Sequence, residues 1–380
     1  MTPSIAVRRV ESSADLNSFV ELAWSLYAGD PAWTPPLRSE VKGLLDRRAN
    51  PYFEHARAAY FLALRDGKPV GRISAQLCDL VQTHMGQGTG QWGFFDSIDD
   101  PMVAAALFGA AEAWLRDQGM TRALGPFSLS IWDEPGLLIE GFARRPCIMM
   151  GHARPYAGAL VEAQGYAKER DLYAYLVPLH ESFPTARRAL EKLGLDKNFR
   201  LRNADKKNFD VELQNVLSIL NESWGVNWGF IPLTPREIAF AAKKLKPIIL
   251  PEYMKICEHD GEPVAFMLTL PNINEYTHDL NGNLFPFGFL KLFWRLKNPK
   301  SQYVRVPLMG VRPAYQKTRW GGLMALAMIE ATRIQAGHAT GAQEAELSWI
   351  LEDNLPMRGI LEMIGSRIDK TYRIYSKPLA

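Results

Sequence analysis

Cysteine is scarce. Cys78, Cys147 and Cys257 stand far apart in 380 residues, with no Cys-x-x-Cys pair, which argues against a disulfide framework or a thiolate zinc site and fits a reducing cytoplasm. The seven histidines are scattered without ligand spacing, so no metal is expected. Long apolar runs are also missing: no stretch of about 18 apolar residues occurs, and the opening "MTPSIAVRRVESSADL" has no signal-peptide core. The chain is read as neither secreted nor membrane-spanning. Strong charge is absent too. A net charge of +3, without a zinc-finger, RNP-like or helix-turn-helix signature, gives no reason to expect a nucleic-acid partner. There is no G-x-S-x-G elbow and no evident Cys–His nucleophile pair, so no covalent enzyme intermediate is required.

What is present is a folded chain, 47% hydrophobic and 22% charged, long enough for two domains. Residues 1–190 carry a net charge of −2 and residues 191–380 one of +5, which directs anionic partners to the second half. Strand and helix patterns alternate. "SIAVRRV" reads as a strand, Asp15 to Ala28 as a helix capped by Ser13, and "AAYFLALRDGKPVGRISAQL" as a hairpin turning at Asp66-Gly67. Further on come the strand "QWGFFD", a helix over Met102 to Gln118, the strand "RALGPFSLS", a polar loop, a short helix from Tyr156 to Gln164 and the strand "DLYAYLVPL". After a connecting stretch near 180–210 the order repeats, with helices at Val211–Trp224 and Pro235–Lys246 and a hairpin at Asp260-Gly261. The strand "QYVRVPLMGV", a helix to Ala336, the strand "EAELSWI", a helix from Asn354 to Ile364 and the strand "KTYRIYSKPL" complete it. This predicts an α/β chain with mixed sheet in two tandem copies of one architecture, 1–185 and 186–380.

The second copy carries the turn "VRPAYQKTRWGGLMALAMIEA". A helix N-terminus offers backbone N–H groups and about half a positive charge, and glycines let an oxyanion approach closely. Gln316, Lys317, Thr318, Arg319, Trp320, Gly321 and Gly322 are therefore read as a phosphate cradle; an ordinary strand-to-helix turn is the alternative. Before it, Pro307 cannot donate to a ladder and implies an edge or a bulge. Amides near Leu308, Met309 and Val311 would then be left for an extended, amide-bearing ligand arm.

Strand, Q/R-x-x-G-x-G/A turn, long helix, second strand and an Asn-led helix ending in Gly resemble the GNAT acyltransferase superfamily. The motif reads Gln316-Lys317-Thr318-Arg319-Trp320-Gly321, with Arg319 where a first glycine is usual, and Asn354 and Gly365 match the second block. The resemblance implies acyl-CoA as co-substrate and no permanently bound cofactor, with pyrophosphate on the turn and pantetheine along the strand. Leu361 stands where a general-acid tyrosine is common, so that role is absent or passes to Tyr372 or Tyr375. The first copy has no Gly-rich basic loop between "GQWGFFDSIDD" and "PMVAAALFGAAEAWL" and looks like a degenerate copy. "GFFDSIDD", "LGPFSLSIWDEPGLLIEGF", "GHARPYAGALVEAQGY", "NINEY" and "AELSWILEDNLPM" resemble a bacterial group of double-GNAT proteins that includes the bacterial ceramide synthases. That implies transfer of a fatty acyl group from an acyl thioester to the amine of a sphingoid base, by similarity 3-oxosphinganine. N-acylation of an amino acid or small amine, and a non-catalytic acyl-CoA sensor, are the alternatives.

Residues 284–300, "LFPFGFLKLFWRLKNPK", combine Phe289, Phe293 and other aromatics with Lys291, Arg295, Lys297 and Lys300 and hold no acid. Too short to span a bilayer, the segment suits the headgroup boundary of an anionic membrane at the inner face of the cytoplasmic membrane. A buried core helix is the competing reading. Acyl transfer to an amine also needs a base. Candidates are Glu346, with Ser348 on its face by strand alternation, and Glu134 and His152 in the first copy. Tyr375 is the candidate acid. An exposed strand carboxylate at Glu346, and turn or cap bonding at Glu134 and His152, are the plainer readings. Asn272 and Asn274 are read either as holding the acceptor's polar head or as loop caps, with Trp228 as an aromatic contact or a core residue.

Overall fold

The computed structural model describes residues 4–379. They divide into two compact units. One runs to Leu172 and adds 277–284 and the residues from Lys370; the other comprises Tyr173–Tyr276 and Phe285–Asp369.

In the first unit β1 (Ile5–Arg9) leads to α1 (Ser13–Leu26), whose cap is Ser12 rather than Ser13: Ser12 and Asp15 form a reciprocal capping box. After α2 (Arg38–Leu45), β2 (Ala56–Arg65) and β3 (Lys68–Cys78) form the hairpin expected at Asp66-Gly67. Both turn residues have positive φ, 51° and 76°, as a type I′ turn requires. Next come α3 (Asp79–His84), β4 (Thr89–Ser97), α4 (Pro101–Asp117) and β5 (Arg122–Gly125). The expected strand to Ser130 stops at Gly125, because Pro126 has no N–H for the ladder. The polar loop holds a strand that hydrophobic alternation was too short to reveal, β6 (Leu137–Glu140), before α5 (Ala157–Glu162). β2 lies between β1 and β3, β4 follows β3, and β5 runs parallel to β4. Trp92, Leu107, Phe108 and Leu115 are almost completely buried at the core of this unit.

The chain leaves this unit within β7 (Ala167–Pro178). The stretch near 180–210 is not a simple connection. It forms α6 (Pro184–Leu195), which starts on a proline and buries Ala186, Ala189 and Leu193, and β8 (Phe199–Asn203). Then follow α7 (Phe209–Trp224), α8 (Pro235–Leu245), the hairpin β9 (Met254–His259) and β10 (Glu262–Pro271), α9 (Asn274–Thr277), α10 (Gly288–Lys297) and β11 (Tyr303–Val311). The one-turn α11 (Pro313–Gln316) precedes the long α12 (Arg319–Thr340), which overruns the expected end at Ala336 and stops at Gly341 with φ 73°. β12 (Glu344–Leu351) and α13 (Leu355–Met363) lead to β13 (Arg367–Pro378). In the second unit β8, β9, β10, β11 and β12 lie in that order; β8–β9, β9–β10 and β10–β11 are antiparallel and β11–β12 is parallel. Met324, Ala327 and Met328 of α12 pack with Phe199, Val304 and Leu361 in its core.

The last strand belongs elsewhere. From Lys370 on, β13 is part of the first unit, where Tyr375 pairs with Gly125 of β5 and Tyr372 with Leu138 of β6. The division into two units is therefore not a single cut between residues 185 and 186.

Candidate active site

β11 is an interior strand, not an edge; of the two roles open to Pro307, the bulge is the one it takes. Pairing with β10 slips between Leu268 and Leu270, opposite the step from Leu308 to Arg305. On the other side the ladder to β12 ends at Val306↔Leu347, so β11 continues past Pro307 without that neighbour. Antiparallel pairing alternates residues facing the partner with residues facing away. The Arg312 N–H donates to the Val264 carbonyl at 2.9 Å, which makes Gly310 and Leu308 face β10 and turns Met309 and Val311 toward the side β12 has left. Two side-chain contacts agree. The Trp224 indole N–H donates to the Met309 carbonyl (2.9 Å), and the Gln316 amide to the Val311 carbonyl (2.8 Å). The N–H groups of Met309 and Val311 point the same way.

At the turn, Gln316, Lys317, Thr318 and Arg319 are exposed. The cradle is narrower than four free amides. Thr318 is the N-cap of α12: its hydroxyl accepts the Trp320 N–H at 3.1 Å, and its carbonyl accepts that of Gly321 at 3.3 Å. Gly321 has a local reason to be glycine, since a Cβ there would lie 2.8 Å from the Tyr315 carbonyl oxygen, whereas a Cβ at Gly322 meets open space. The turn is fastened by a row of rings that linear reading missed. Trp320 packs on Phe199 (4.4 Å between centroids), Phe199 on His259 (4.3 Å), and His259 Nδ1 shares a hydrogen bond of 2.8 Å with the Tyr315 hydroxyl. The Arg319 guanidinium lies 4.9 Å from the Trp320 ring. These rings are drawn from a stretch of more than a hundred residues, Phe199 to Trp320, so no motif announces them.

Glu346 is not the exposed strand carboxylate of the plainer reading: it is 2% exposed. Alternation holds, for the Ser348 hydroxyl donates to Glu346 Oε1 at 2.6 Å, and Arg305 Nε donates to Ser348 at 2.9 Å. Arg305, paired with Glu346 across the ladder, was not anticipated; a buried arginine in a strand resembles any other charge in sequence. Asn272 is buried and its backbone N–H reaches Ser301 Oγ (3.2 Å), while Asn274 begins α9 and its neighbour Glu275 accepts the N–H groups of Gln302 (2.8 Å) and Tyr303 (2.9 Å). Asn354 caps α13, accepting the Met357 N–H at 3.3 Å. Leu361 is fully buried, so the position of the missing tyrosine faces the core. Trp228 is half-buried in the turn after α7. Phe289 and Phe293 are 44% and 61% exposed, and no residue of α10 is buried, which rules out the core-helix reading of this segment.

In the first unit the helix equivalent to α12 is closed to anions. Asp100 caps α4, accepting the Met102 N–H at 2.8 Å, and pairs with Arg65, whose hydrogen bond holds the Asp100 carboxyl below the usual range. A carboxylate already fills the place a phosphate needs. The unit instead holds proton-handling groups. Glu134 is reachable by solvent, yet the protein crowded about it reduces its hydration. Asp133 and Asp96 add negative charge, and its carboxyl rises to about 7 against the opposing pull of Arg72. Glu134 Oε2 lies 3.7 Å from where a Cβ on Gly151 would stand, so the fold brings it to the chain beside His152. The His152 Nε2 is 3.0 Å from Asp30 Oδ2, which Arg154 also holds at 3.2 Å, and its Nδ1 is buried without a partner among the described residues. Asp30 was not foreseen; it lies 122 residues away. Tyr375 is fully buried and donates to Glu162 at 3.1 Å; burial, with that carboxylate, raises its pKa well above the usual phenol value. That weakens it as an acid. Among the described residues no helix is long and apolar enough to cross a membrane.

No protein-family model matches the chain. It is 43% identical over 376 residues to "Bacterial ceramide synthase" of Caulobacter vibrioides, covering 99% of this chain and 98% of that protein. "Protein YghO" of Escherichia coli is 44% identical over 375 residues, covering 98% and 95%. Among solved structures, a tandem GNAT protein from the clavulanic acid biosynthesis pathway matches with TM-score 0.58 at 13% identity, covering 99% of both chains. A GCN5-related N-acetyltransferase from Sphaerobacter thermophilus gives 0.54 at 13% identity, covering 99% and 96%. These two carry the fold, that of tandem GNAT proteins, and the full-length relatives carry the family: the chain belongs to the family of the bacterial ceramide synthases.

Proposed function

We propose that this N-acyltransferase moves a long-chain fatty acyl group from acyl-CoA to the amine of a sphingoid base resembling 3-oxosphinganine, forming a ceramide-type amide. The observation that carries this reading is the 43% identity, along nearly the whole chain, with a protein named for ceramide synthesis. The donor is assigned to the second unit. Its diphosphate lies beside Lys317 and Arg319, where charge-assisted hydrogen bonds are stronger than neutral ones. Its amide-bearing arm runs along Met309 and Val311, whose N–H groups are the hydrogen-bond donors that strand alternation leaves for it.

An amine of pKa about 10 is only about 0.1% neutral at pH 7. We assign Glu134, which titrates near 7, as the base that takes its proton. The nitrogen lone pair then attacks the thioester carbonyl, a C–N bond forms, the C–S bond breaks, and CoA leaves as a thiolate that takes up the second proton, the one the nitrogen gives up as the amide forms. His152 is assigned to relay protons at its unpartnered Nδ1, and Glu346 to hold the Ser348–Arg305 network where β11 and β12 part. Long chains are kept from water by the exposed aromatic face of α10. Four cations and no acid over residues 284–300 support an anionic membrane surface as this face's partner, and with it a location at the inner side of the cytoplasmic membrane.

Thiol release from palmitoyl-CoA, measured across sphingoid bases, amino acids and simple amines, tests the assignment. Sphingoid bases should raise release well above the rate with amino acids. A preference for amino acids, or acyl-CoA binding with no turnover on any amine, defeats it.

A further inference from the structure

Away from the donor turn, the second unit contains a cavity of about 250 Å³ bounded by α6, β8, β9 and α12. Leu190, Leu193 and Leu201 give it apolar walls; Lys255, Asn203 and Gln335 give it a polar end. Lys255 is 1% exposed. Its ammonium donates to Asn203 Oδ1 at 2.6 Å and to Gln335 Oε1, both neutral oxygens. An ammonium has three protons, and among the described residues these two are its hydrogen-bond acceptors. Among the described residues no carboxylate pairs with it. Arg202, also in the wall, is already held by Glu212 and Glu258, and Glu252 pulls on Lys255 only electrostatically, without an ion pair. Burial lowers the Lys255 pKa to about 8, which reflects the cost of holding a cation without a counterion.

A buried cation with a spare proton, at the polar end of a leucine-walled cavity, is complementary to one ligand class. We propose that this cavity binds a short aliphatic carboxylate, its oxygens on Lys255 Nζ and its chain against Leu190, Leu193 and Leu201. A phosphate would bring two negative charges to one available cation and nothing for the leucines to cover. The site is separate from the acyl-transfer reading and stands if that reading fails.

Calorimetric titration of the full chain with hexanoate, and with hexanamide as its neutral counterpart, tests the proposal. Hexanoate should bind saturably at one site, and hexanamide at least tenfold more weakly. Lys255→Met removes the charge at similar length, and Ala331→Leu narrows the cavity from α12 while leaving Lys255 in place. Each should weaken hexanoate at least tenfold, with thermal melts showing which variants are folded. The second variant decides if the first does not fold. Absence of saturable binding, equal binding of hexanamide, or unchanged affinity in a folded variant overturns the site.

Discussion

Lys317 and Arg319 are exposed on either side of the cap Thr318, and neither is needed to close the turn. Their replacement therefore reports on the ligand rather than on folding. A charge-assisted hydrogen bond is worth about 1.5–3 kcal/mol, so Lys317→Ala and Arg319→Ala should each raise the KM for acyl-CoA about tenfold or more while leaving Tm within a degree or two. Unchanged KM in both variants removes the phosphate from this turn. Glu134 makes a different prediction. Its folded pKa, about 7, lies above that of an unfolded carboxyl, so the folded state holds the extra proton between these values. Stability then falls as pH rises through that window and is level above it. Glu134→Gln should melt higher than the parent at pH 8, the gap closing by pH 5, and should abolish the acidic limb near pH 7 in kcat/KM. A mutant with the parent's limb intact acquits Glu134 as the base. Of these residues the sequence made the turn cations legible through local spacing. Asp30 and Arg305 escaped notice because what defines them is a partner brought in by folding.

At the scale of elements, local chemistry was legible wherever it is strictly local. The two Asp-Gly hairpins and the proline bulge in β11 each follow from what one or two backbones can adopt. β6 and β8 were missed because four or five residues carry too little period, and α6 because its mostly charged surface resembles a linker. α10 is the element whose role depends most on its surroundings. Phe285, Phe287, Leu290, Phe293 and Trp294 are all more than half exposed, and burying a large side chain is worth about 1.5–3 kcal/mol. Co-sedimentation with phosphatidylglycerol vesicles should show binding that weakens in high salt and falls at least tenfold in a Phe293→Ser, Trp294→Ser double variant. Equal uptake by neutral phosphatidylcholine vesicles, or no effect of the double substitution, removes the membrane as partner of this helix.

For the whole molecule, the path of the chain decides what can fold alone. Tandem repetition was readable because pattern order repeats. That the final strand serves the first unit was not, since strand pairing between residues 125 and 375 leaves no local trace. Tyr372, Ile374 and Tyr375 are each fully buried, and truncating one such large side chain costs about 3–5 kcal/mol. Losing all three approaches the entire stability of a domain, about 5–15 kcal/mol. A fragment ending at residue 185 lacks them, and so does a chain truncated after Asp369. Neither should show a cooperative urea transition for the first unit, and its segments should be cut rapidly in limited proteolysis. Adding a peptide of residues 367–380 to the truncated chain should restore protection, because β5 and β6 still offer their pairing edges. A fragment 1–185 with a cooperative transition and protease resistance shows that the first unit does not need this strand, and that a linear division of the chain is the physical one.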